Sequence, residues 1–247
     1  MGKQTVSAEK TAFEESLWAD SEFSQNYRDA ADIFLPFRRQ CIGIIASLYG
    51  HFIAQNPQVS VLDLGCGDGV VIQELLKLSQ PAKVQLIDGS DEMLAAAQAR
   101  LGTQENIYYT QASFQDLLAN DPLQSTFDFI YSSLAIHHLS FEHKKALYQY
   151  IYSHLSDGGY FINYDVVLSP SEQLEEYYLS TWTEWLKAHP GIKGREKLLE
   201  IPREYKENKD NVPDTLESQL DALNEVGFQN VDCYFKYGIF SVFGGKK

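Results

Sequence analysis

The sequence has few cysteines and no long hydrophobic run. Its three cysteines, Cys41, Cys66 and Cys233, are far apart and odd in number, which excludes a disulfide framework and favours a reducing compartment. The longest apolar stretch, Cys41 to Ala54, is too short to span a bilayer. Met1 to Lys10 is polar and lacks the apolar core of a signal peptide. We therefore expect a cytoplasmic protein with no membrane partner.

Basic residues are also scarce, since 20 Lys and Arg stand against 34 Asp and Glu, a net charge of -14. Proteins that bind nucleic acid normally present a basic patch, because phosphate neutralisation supplies most of their affinity. The densest basic region, Lys193 to Lys209, alternates with Glu196, Glu200, Glu204 and Glu207, so its charges nearly cancel. Direct nucleic-acid binding is not expected. The expected partner is a small molecule, and the chain is expected to be a monomer or a homodimer.

From Val59 onward, short β-type runs alternate with helical ones, which is typical of a parallel sheet covered on both faces. Strands are predicted over Val59 to Leu64, Lys83 to Asp88, Ile107 to Thr110, Phe127 to Ser132, Tyr160 to Asp165, Val231 to Phe235 and Ile239 to Phe243. Helices are predicted over Val70 to Leu78, Asp91 to Leu101 (capped by Ser90), Phe141 to Leu155 and Thr215 to Val226 (ended by Gly227). We expect an α/β fold, Rossmann-like, with a seven-stranded, mostly parallel sheet and helices on both faces.

Two helical regions outside this alternation are expected to form a cap. The first is an apolar helix from Ala31 to Ile53, ahead of the first strand. The second is residues 170–209, which are aromatic and charged and are broken at Pro190-Gly191 and Pro202. It follows the fifth strand, which Asp157-Gly158-Gly159 is expected to introduce as a turn.

The most informative segment is Val61 to Gly69, in which a strand ending at Asp63 runs into Gly65-x-Gly67-x-Gly69 and then a helix. The glycines allow a tight turn and a close approach of the backbone to a ligand. An acid two residues before the first glycine repels a pyrophosphate. It suits a ligand with an ammonium group, such as the methionine part of S-adenosylmethionine (SAM). An NAD-dependent oxidoreductase is the rival interpretation, and this spacing together with Asp63 opposes it.

A second acid, Asp88, ends the predicted second strand about twenty residues after the glycines. A carboxylate at that position can accept hydrogen bonds from both hydroxyls of a ribose. A glycine-rich turn that merely packs a helix on a strand does not explain two acids at these offsets. The two acids therefore favour a nucleoside ligand with a cationic end.

Val61 to Gly69 and Leu86 to Leu94 resemble the SAM-binding motifs of class I SAM-dependent methyltransferases. The resemblance implies SAM as cofactor and S-adenosylhomocysteine (SAH) as product. It divides the chain into a helical cap segment, residues 1–57, and a SAM-binding domain, residues 58–247, with a helical insert at about 168–210. No metal site is expected. The residues expected to bind the cofactor are Tyr27, Arg28, Asp63, Gly65, Cys66, Gly67, Asp88, Gly89, Met93, Ser113, Phe114 and Ser133.

Members of this family usually carry an acid near the end of the third strand, where it accepts from the adenine amino group. Here Ser113 stands at that position. A hydroxyl can still accept, and Phe114 can cover the adenine plane. Asp116 is the other candidate for this contact.

After the fourth predicted strand comes Ser132 to Leu139, which in the family lies beside the methionine part and the reactive methyl group. Either His137 or His138 can orient a substrate or take its proton, because histidine titrates near neutral pH. The alternative is that one histidine packs and the other faces solvent. A zinc site from His137, His138 and His143 is disfavoured, because no cysteine lies near and adjacent ligands rarely share a closed geometry.

Three segments resemble small bacterial methyltransferases related to the carboxy-SAM synthase of tRNA uridine-5-oxyacetate formation: Phe23 to Ala30, Leu134 to Asp165 and Gly227 to Phe243. That resemblance implies that Tyr27 and Arg28 fold over the SAM site, with Arg28 paired to the methionine carboxylate. A surface pair on a helix is the alternative. The carboxy-SAM branch also needs a cation late in the cap, for which Arg203 is the candidate.

The cap is rich in aromatic residues, which favour a sulfonium or an organic substrate through stacking and cation–π contacts. Tyr177, Tyr178 and Trp182 are the expected substrate contacts, and core packing at helical spacing is the alternative. The sequence thus predicts a SAM-dependent methyltransferase that acts on a nucleophilic oxygen, nitrogen or sulfur of a small molecule. A carboxy-SAM synthase-like or tRNA-modification-linked enzyme and a non-catalytic SAM-binding module are the alternatives.

Overall fold

The strands form the centre of the molecule in a computed structural model that describes Ser16 and residues 21–247, without the side chains of Ser21 and Phe23. Residues 1–15 and 17–20 of the predicted cap segment, which include the polar stretch Met1 to Lys10, lie outside the described residues. The strands are β1 (Ser60–Leu64), β2 (Lys83–Asp88), β3 (Ile107–Gln111), β4 (Phe127–Ser133), β5 (Leu155–Val166), β6 (Gln229–Tyr237) and β7 (Phe240–Lys246).

Within the described residues these strands form one seven-stranded sheet in the order β3-β2-β1-β4-β5-β7-β6. The first five strands pair in parallel, and β7 is antiparallel to both β5 and β6. The predicted α/β fold with a mostly parallel sheet is confirmed. The strand order reverses between β1 and β4, and ligands of open α/β sheets bind in the crevice at the carboxyl ends of such strands.

Helices cover both faces of the sheet. They are α1 (Ser21–Phe34), α2 (Arg38–Phe52), α3 (Val70–Leu75), α4 (Asp91–Leu101), α5 (Phe114–Asn120), α6 (Phe141–His154), α7 (Glu172–Ala188), α8 (Ile201–Glu207) and α9 (Leu216–Val226). Alternate residues of a strand project to opposite faces. Val61 accordingly packs in one apolar cluster with residues of α2, α3 and α7, and Leu62 in a second cluster with residues of α6 and α9.

Two predicted helix ends are confirmed. The Ser90 hydroxyl accepts from the backbone N–H of Met93 at 3.3 Å and caps α4. Gly227 ends α9 with a φ of 116°, a conformation that glycine adopts without strain.

The apolar stretch Ala31 to Ile53 is not the single helix that the pattern predicts. It contains the end of α1 and the whole of α2, separated at Leu35-Pro36-Phe37, with Phe37 at a φ of 56°. Pro36 has no N–H, and its ring clashes with the preceding turn of a helix, so the chain cannot continue helically through it. The break lets α1 fold back toward the carboxyl edge of the sheet.

The predicted turn at Asp157-Gly158-Gly159 lies inside β5 instead. The register between β4 and β5 shifts between Phe127 and Phe129. Gly158 takes a φ of 82°, and its N–H donates to the carbonyl of Lys247 at 3.0 Å. These residues therefore form an irregularity within a paired strand, which local composition does not distinguish from a turn.

Residues 170–209 are helical, as expected, with α7, two 3-10 helices (Pro190–Ile192 and Glu196–Glu200) and α8. Pro202 occupies the first turn of α8, where a missing N–H costs nothing. None of the helices formed by residues 21–247 combines the length and the hydrophobicity that crossing a membrane requires.

Candidate active site

The glycine loop follows β1 at the point where the strand order reverses. Gly65, Gly67 and Gly69 have φ values of 70°, 53° and 73°, a region that other residues enter only with strain. At Gly65 an added Cβ would lie 2.5 Å from the Cβ of Ala135. The motif is therefore glycine-rich both for its backbone conformation and for its contact with the segment after β4.

Asp88 holds this loop from the end of β2. One carboxylate oxygen accepts from the N–H of Gly67 at 2.8 Å, and the other accepts from the N–H of Ser90 at 2.9 Å. Burial raises the pKa of Asp88 above its ordinary value, although these backbone donors oppose the rise. Each oxygen retains acceptor capacity, so the carboxylate can serve the loop and a ligand together.

A cavity of about 240 Å³ lies against the loop, and we call it the glycine-loop cavity. The structure brings most of the predicted cofactor residues to its lining. These are Tyr27, Gly65, Gly67, Asp88, Gly89, Met93, Ser113, Phe114 and Ser133.

Arg28 is not brought to this cavity. Its guanidinium forms an ion pair with Glu92 on α4 at 3.3 Å and lies 3.7 Å from the sulfur of Met93. In this geometry Glu92 on α4 supplies the carboxylate that neutralises Arg28, and the pairing of Arg28 with a methionine carboxylate stays a prediction.

Asp63, in β1, and Cys66, within the loop, are buried and do not line the cavity. Asp63 accepts from the Tyr131 hydroxyl at 2.7 Å, and its other oxygen has no hydrogen-bond partner among the described residues. Burial raises the pKa of Asp63 to about 8, and the charges on Asp88 and Asp68 raise it further. Burial likewise raises the pKa of the Cys66 thiol. Burial therefore favours the uncharged form of Asp63 at neutral pH, and a cationic ligand bound near the loop would favour its carboxylate.

Ser113 and Asp116 begin α5, a helix that the pattern of the sequence leaves unpredicted. The Ser113 hydroxyl accepts from the N–H of Asp116 at 3.1 Å, and the Asp116 carboxylate accepts from the N–H of Ser113 at 2.9 Å. These two bonds form a capping box, and its Ser-x-x-Asp spacing is the signal that could have revealed the helix. Ser113 and Phe114 line the cavity, whereas the alternative candidate Asp116 is engaged in capping.

His137 and His138 lie on a 3-10 helix, Ile136–His138, directly after β4. Nδ1 of His137 lies 2.6 Å from a carboxylate oxygen of Asp165, near the end of β5. Both side chains are buried. The structure thus forms a histidine–aspartate pair whose carboxylate fixes the imidazole tautomer, as in hydrolase triads. Asp165 is not among the site residues predicted from the sequence. Because β5 pairs with β4, the end of β5 lies close to the residues that follow β4.

His138 is held differently. Its Nδ1 lies 3.0 Å from the carbonyl of Asp210 and therefore carries the hydrogen. Burial, and next the proximity of His137, lowers the pKa of His138 to about 3. His138 is consequently neutral at physiological pH and is a poor candidate for the base.

A second cavity, of about 660 Å³, lies under the cap and is called the cap cavity. His137 and Trp182 line it, and it shares Tyr27, Leu134, His138 and Asp210 with the glycine-loop cavity. The two cavities therefore adjoin. Of the three predicted substrate contacts, Trp182 alone is brought to this space.

Tyr177 and Tyr178 line neither cavity. Tyr177 is 59% exposed, and the ring of Tyr178 lies under the Lys236 ammonium at 4.4 Å. Successive residues of a helix rotate by 100°, and α7 turns Trp182 and Leu186 to the core. Tyr177 consequently faces solvent, and Tyr178 packs beside β6.

Arg203 does not reach either cavity. Its side chain is 67% exposed and pairs with Glu200 at 3.3 Å and with Glu207 at 3.8 Å. The proposed cation for a carboxy-SAM site is therefore a surface residue. The structure places Lys209, Asp210 and Val212 against the glycine-loop cavity instead, in a loop whose sequence carries no signal of such a role.

The methyltransferase domain family matches residues 61–159, which span the glycine loop, Asp88 and the histidine segment of this fold. Residues 61–159 form a class I SAM-dependent methyltransferase domain. Relatives of the chain include the carboxy-S-adenosyl-L-methionine synthase of Campylobacter lari, 22% identical over 95% of this chain and 96% of that protein. A malonyl-[acyl-carrier protein] O-methyltransferase of Ilyobacter polytropus is 26% identical over 47% of this chain and 42% of the relative.

Solved structures resemble this methyltransferase in fold. An O-methyltransferase family protein from Burkholderia thailandensis has a TM-score of 0.66 at 12% identity, over 95% of this chain and 62% of that one. Magnesium protoporphyrin IX methyltransferase from Synechocystis PCC 6803, with bound SAH, has a TM-score of 0.62 at 14% identity, over 93% and 96%. The chain thus spans about three fifths of the first structure and nearly all of the second.

Proposed function

We propose that this methyltransferase binds SAM in the glycine-loop cavity and transfers the methyl group to a small molecule in the cap cavity. The observation that carries the proposal is the shared wall of the two cavities at Tyr27, Leu134, His138 and Asp210. A donor and an acceptor in adjoining cavities meet at such a wall. Holding two reactants in line supplies much of the rate of a transfer of this kind.

The lining of the glycine-loop cavity supports the placement of SAM in it. Asp88 can accept from the ribose hydroxyls, and Ser113 and Phe114 can flank the adenine. The Asp88 carboxylate favours the cationic methionine end, and a cation bound at the loop would shift Asp63 toward its charged form.

SAM supplies an electrophilic methyl group on a sulfonium, and the chain supplies position and electrostatics. The neutral His138 places no second cation beside the sulfonium. His137, with Asp165 behind it, is the group that can take a proton from the acceptor.

A small-molecule acceptor is favoured over tRNA by the charges of the cap. Arg203 pairs with Glu200, and Lys206 pairs with Glu175 at 2.8 Å. Paired cations offer little to a phosphate backbone.

Carboxy-SAM synthesis is the second candidate, because the relative from Campylobacter lari matches nearly the full length of this chain. Mass spectrometry of the ligand retained through purification separates the two. SAM or SAH supports the proposal, and carboxy-SAM contradicts it. Tight SAM binding without SAH formation across a metabolite panel would identify a non-catalytic binding module.

The donor site is tested by Asp88→Ala with calorimetry. We expect SAM affinity to fall by about 100-fold or more, because the loop loses its anchor and the ribose loses its acceptor, each charge-assisted bond contributing about 1.5–3 kcal/mol. Asp157→Asn, an exposed acid within β5, is the matched control and should bind SAM like the wild type. Equal SAM affinity in both variants, with thermal melting showing both folded, would refute the site.

A further inference from the structure

We infer that the methyl acceptor is an uncharged phenol whose hydroxyl proton passes to His137 and which receives a hydrogen bond from Tyr205. This inference rests on the proposed function, since it assigns the occupant of the cap cavity. Three features of that cavity carry it: its charge distribution, its base and one unpartnered hydroxyl.

The interior of the cap cavity is uncharged. Lys197 and Glu204 line it but are exposed, so they stand at its rim, and Asp210 belongs to the wall shared with the glycine-loop cavity. The rings of Trp182 and Phe240 lie buried in the lining. A carboxylate or an ammonium drawn into such a space loses hydration without gaining a paired charge. An uncharged, flat molecule is what this lining accommodates.

The buried pair of His137 and Asp165 is suited to an acceptor that must lose a proton. With Nδ1 donating to Asp165, Nε2 is the ring nitrogen that can accept. A carboxylate has no proton to lose, and a neutral amine attacks before it loses one. An aliphatic alcohol is a far weaker acid than imidazolium, whereas a phenol, with a pKa near 10, is within reach of a histidine base.

Tyr205 supplies the third feature. It lines the cap cavity, and its hydroxyl is buried without a hydrogen-bond partner among the described residues. Burial raises its pKa, and the charge on Asp165 is the next cause, so Tyr205 stays protonated and lies in the field of the pair. A buried donor without a partner costs stability, and a polar atom of the acceptor would provide that partner.

The transfer balances without any further reactant. The phenol oxygen forms a bond to the methyl carbon as the carbon–sulfur bond breaks, and the electron pair of that bond stays on sulfur. The hydroxyl proton passes to Nε2 of His137, and the carboxylate of Asp165 stabilises the resulting imidazolium. The products are an aryl methyl ether and SAH, and the proton then leaves to solvent.

The acceptor class is tested with three probes of one shape: para-phenylphenol, para-phenylbenzoic acid and para-phenylaniline. Each is incubated with the wild-type chain and SAM, and SAH is measured by mass spectrometry. We expect the phenol to react about tenfold faster or more, because the charged acid is excluded by desolvation and the amine makes no use of the base. Faster reaction of the acid or the amine, or no reaction of the phenol while SAM binds, overturns the inference. Absence of SAM binding in calorimetry refutes the proposed function instead.

The role of His137 is tested by His137→Gln. On para-phenylphenol the variant should lose about 10²–10⁴-fold in kcat. On pentafluorophenol, which is already ionised at neutral pH and needs no base, the loss in kcat of the variant relative to the wild type should be much smaller, because weaker entry of the anion affects both proteins alike. His143→Gln, an exposed histidine of α6, should leave both rates unchanged. Equal losses on the two phenols would mean that His137 is not the base.

Tyr205→Phe tests the hydrogen bond. KM for the phenol should rise about three- to tenfold, the value of one neutral hydrogen bond, with little change in kcat. Tyr177→Phe removes a hydroxyl from an exposed tyrosine outside both cavities and is the matched control. The same KM in both variants contradicts the role of Tyr205.

Discussion

Buried polar side chains at the carboxyl edge of the sheet determine the chemistry at the residue scale. Asp88 anchors the glycine loop through two backbone N–H groups. His137 receives its orientation from Asp165, and His138 receives its own from a backbone carbonyl. Two adjacent histidines therefore have different environments, and the different roles proposed for them rest on this difference.

Gly65 is expected to tolerate no side chain. Gly65→Ala should lower the free energy of unfolding by about 2–5 kcal/mol, because a left-handed conformation costs about 1–2 kcal/mol and overpacking about 1–3 kcal/mol. Urea unfolding measures this. Gly194→Ala has a similar φ of 81° but nothing within 4 Å of the added Cβ, so it should show the conformational cost alone. Equal destabilisation by the two substitutions would rule out the contact with Ala135.

His138 is expected to make stability depend on pH. Its pKa is lowered to about 3 in the folded chain from an ordinary 6.5. The contribution of the neutral imidazole to the free energy of unfolding is therefore complete above pH 6.5 and is lost as the pH falls toward 3. The maximal slope for one proton is about 1.4 kcal/mol per pH unit. Urea unfolding at a series of pH values between 6.5 and 3 measures this. As the pH falls, the free energy of unfolding should decrease more steeply for the wild type than for His138→Gln, and His143→Gln should behave like the wild type. Parallel curves for His138→Gln and the wild type would contradict the assignment.

At the scale of elements, the loop between α8 and α9 completes both cavities. We call residues 208–214 the strap. The N–H of Val212 donates to the carbonyl of His137 at 2.9 Å, and the carbonyl of Asp210 accepts from His138. The ammonium of the fully buried Lys144, on α6, donates to the carbonyl of Val212 and to Asp214 at 2.6 Å. One buried cation thus joins the strap to the helix that follows the histidines.

Lys144→Met is expected to loosen the strap and to destabilise the fold by about 3 kcal/mol, because removing one partner leaves a buried carbonyl and a carboxylate without a donor. SAM affinity should fall as well, since Asp210 and Val212 line the glycine-loop cavity. Denaturant unfolding and calorimetry measure the two effects. Lys145→Met removes the neighbouring exposed cation, which pairs with Glu225, and should change neither. Unchanged SAM affinity in a folded Lys144→Met protein would show that the strap is independent of Lys144.

The helices illustrate where pattern reasoning succeeds and where it fails. The end of α9 at Gly227 and the cap of α4 at Ser90 were predictable, because each depends on residues within one turn. The division of the stretch from Ala31 to Ile53 follows from Pro36, a local signal that outweighs the continuous apolar pattern around it. The orientation of α7 was not predictable, because an aromatic helix presents rings on several faces and only its neighbours select one.

At the scale of the whole molecule, the sheet and the cap enclose adjoining cavities of different character. Asp88, at the end of β2, lines the glycine-loop cavity, whereas the cap cavity is uncharged within and charged at its rim. A cationic donor and an uncharged acceptor are the pair that such a division suits.

The sequence by itself determined the fold class and the kind of site, because Val61 to Gly69 and Leu86 to Leu94 are continuous strand–loop segments whose geometry is set by adjacent residues. Only the tertiary structure decided that Arg28 pairs with Glu92, that Asp165 meets His137 and that Tyr205 and the strap border the cavities. These contacts join residues far apart in the chain. They depend on which strands are neighbours in the sheet and on how the cap packs against it. Neither property can be predicted from a local sequence pattern.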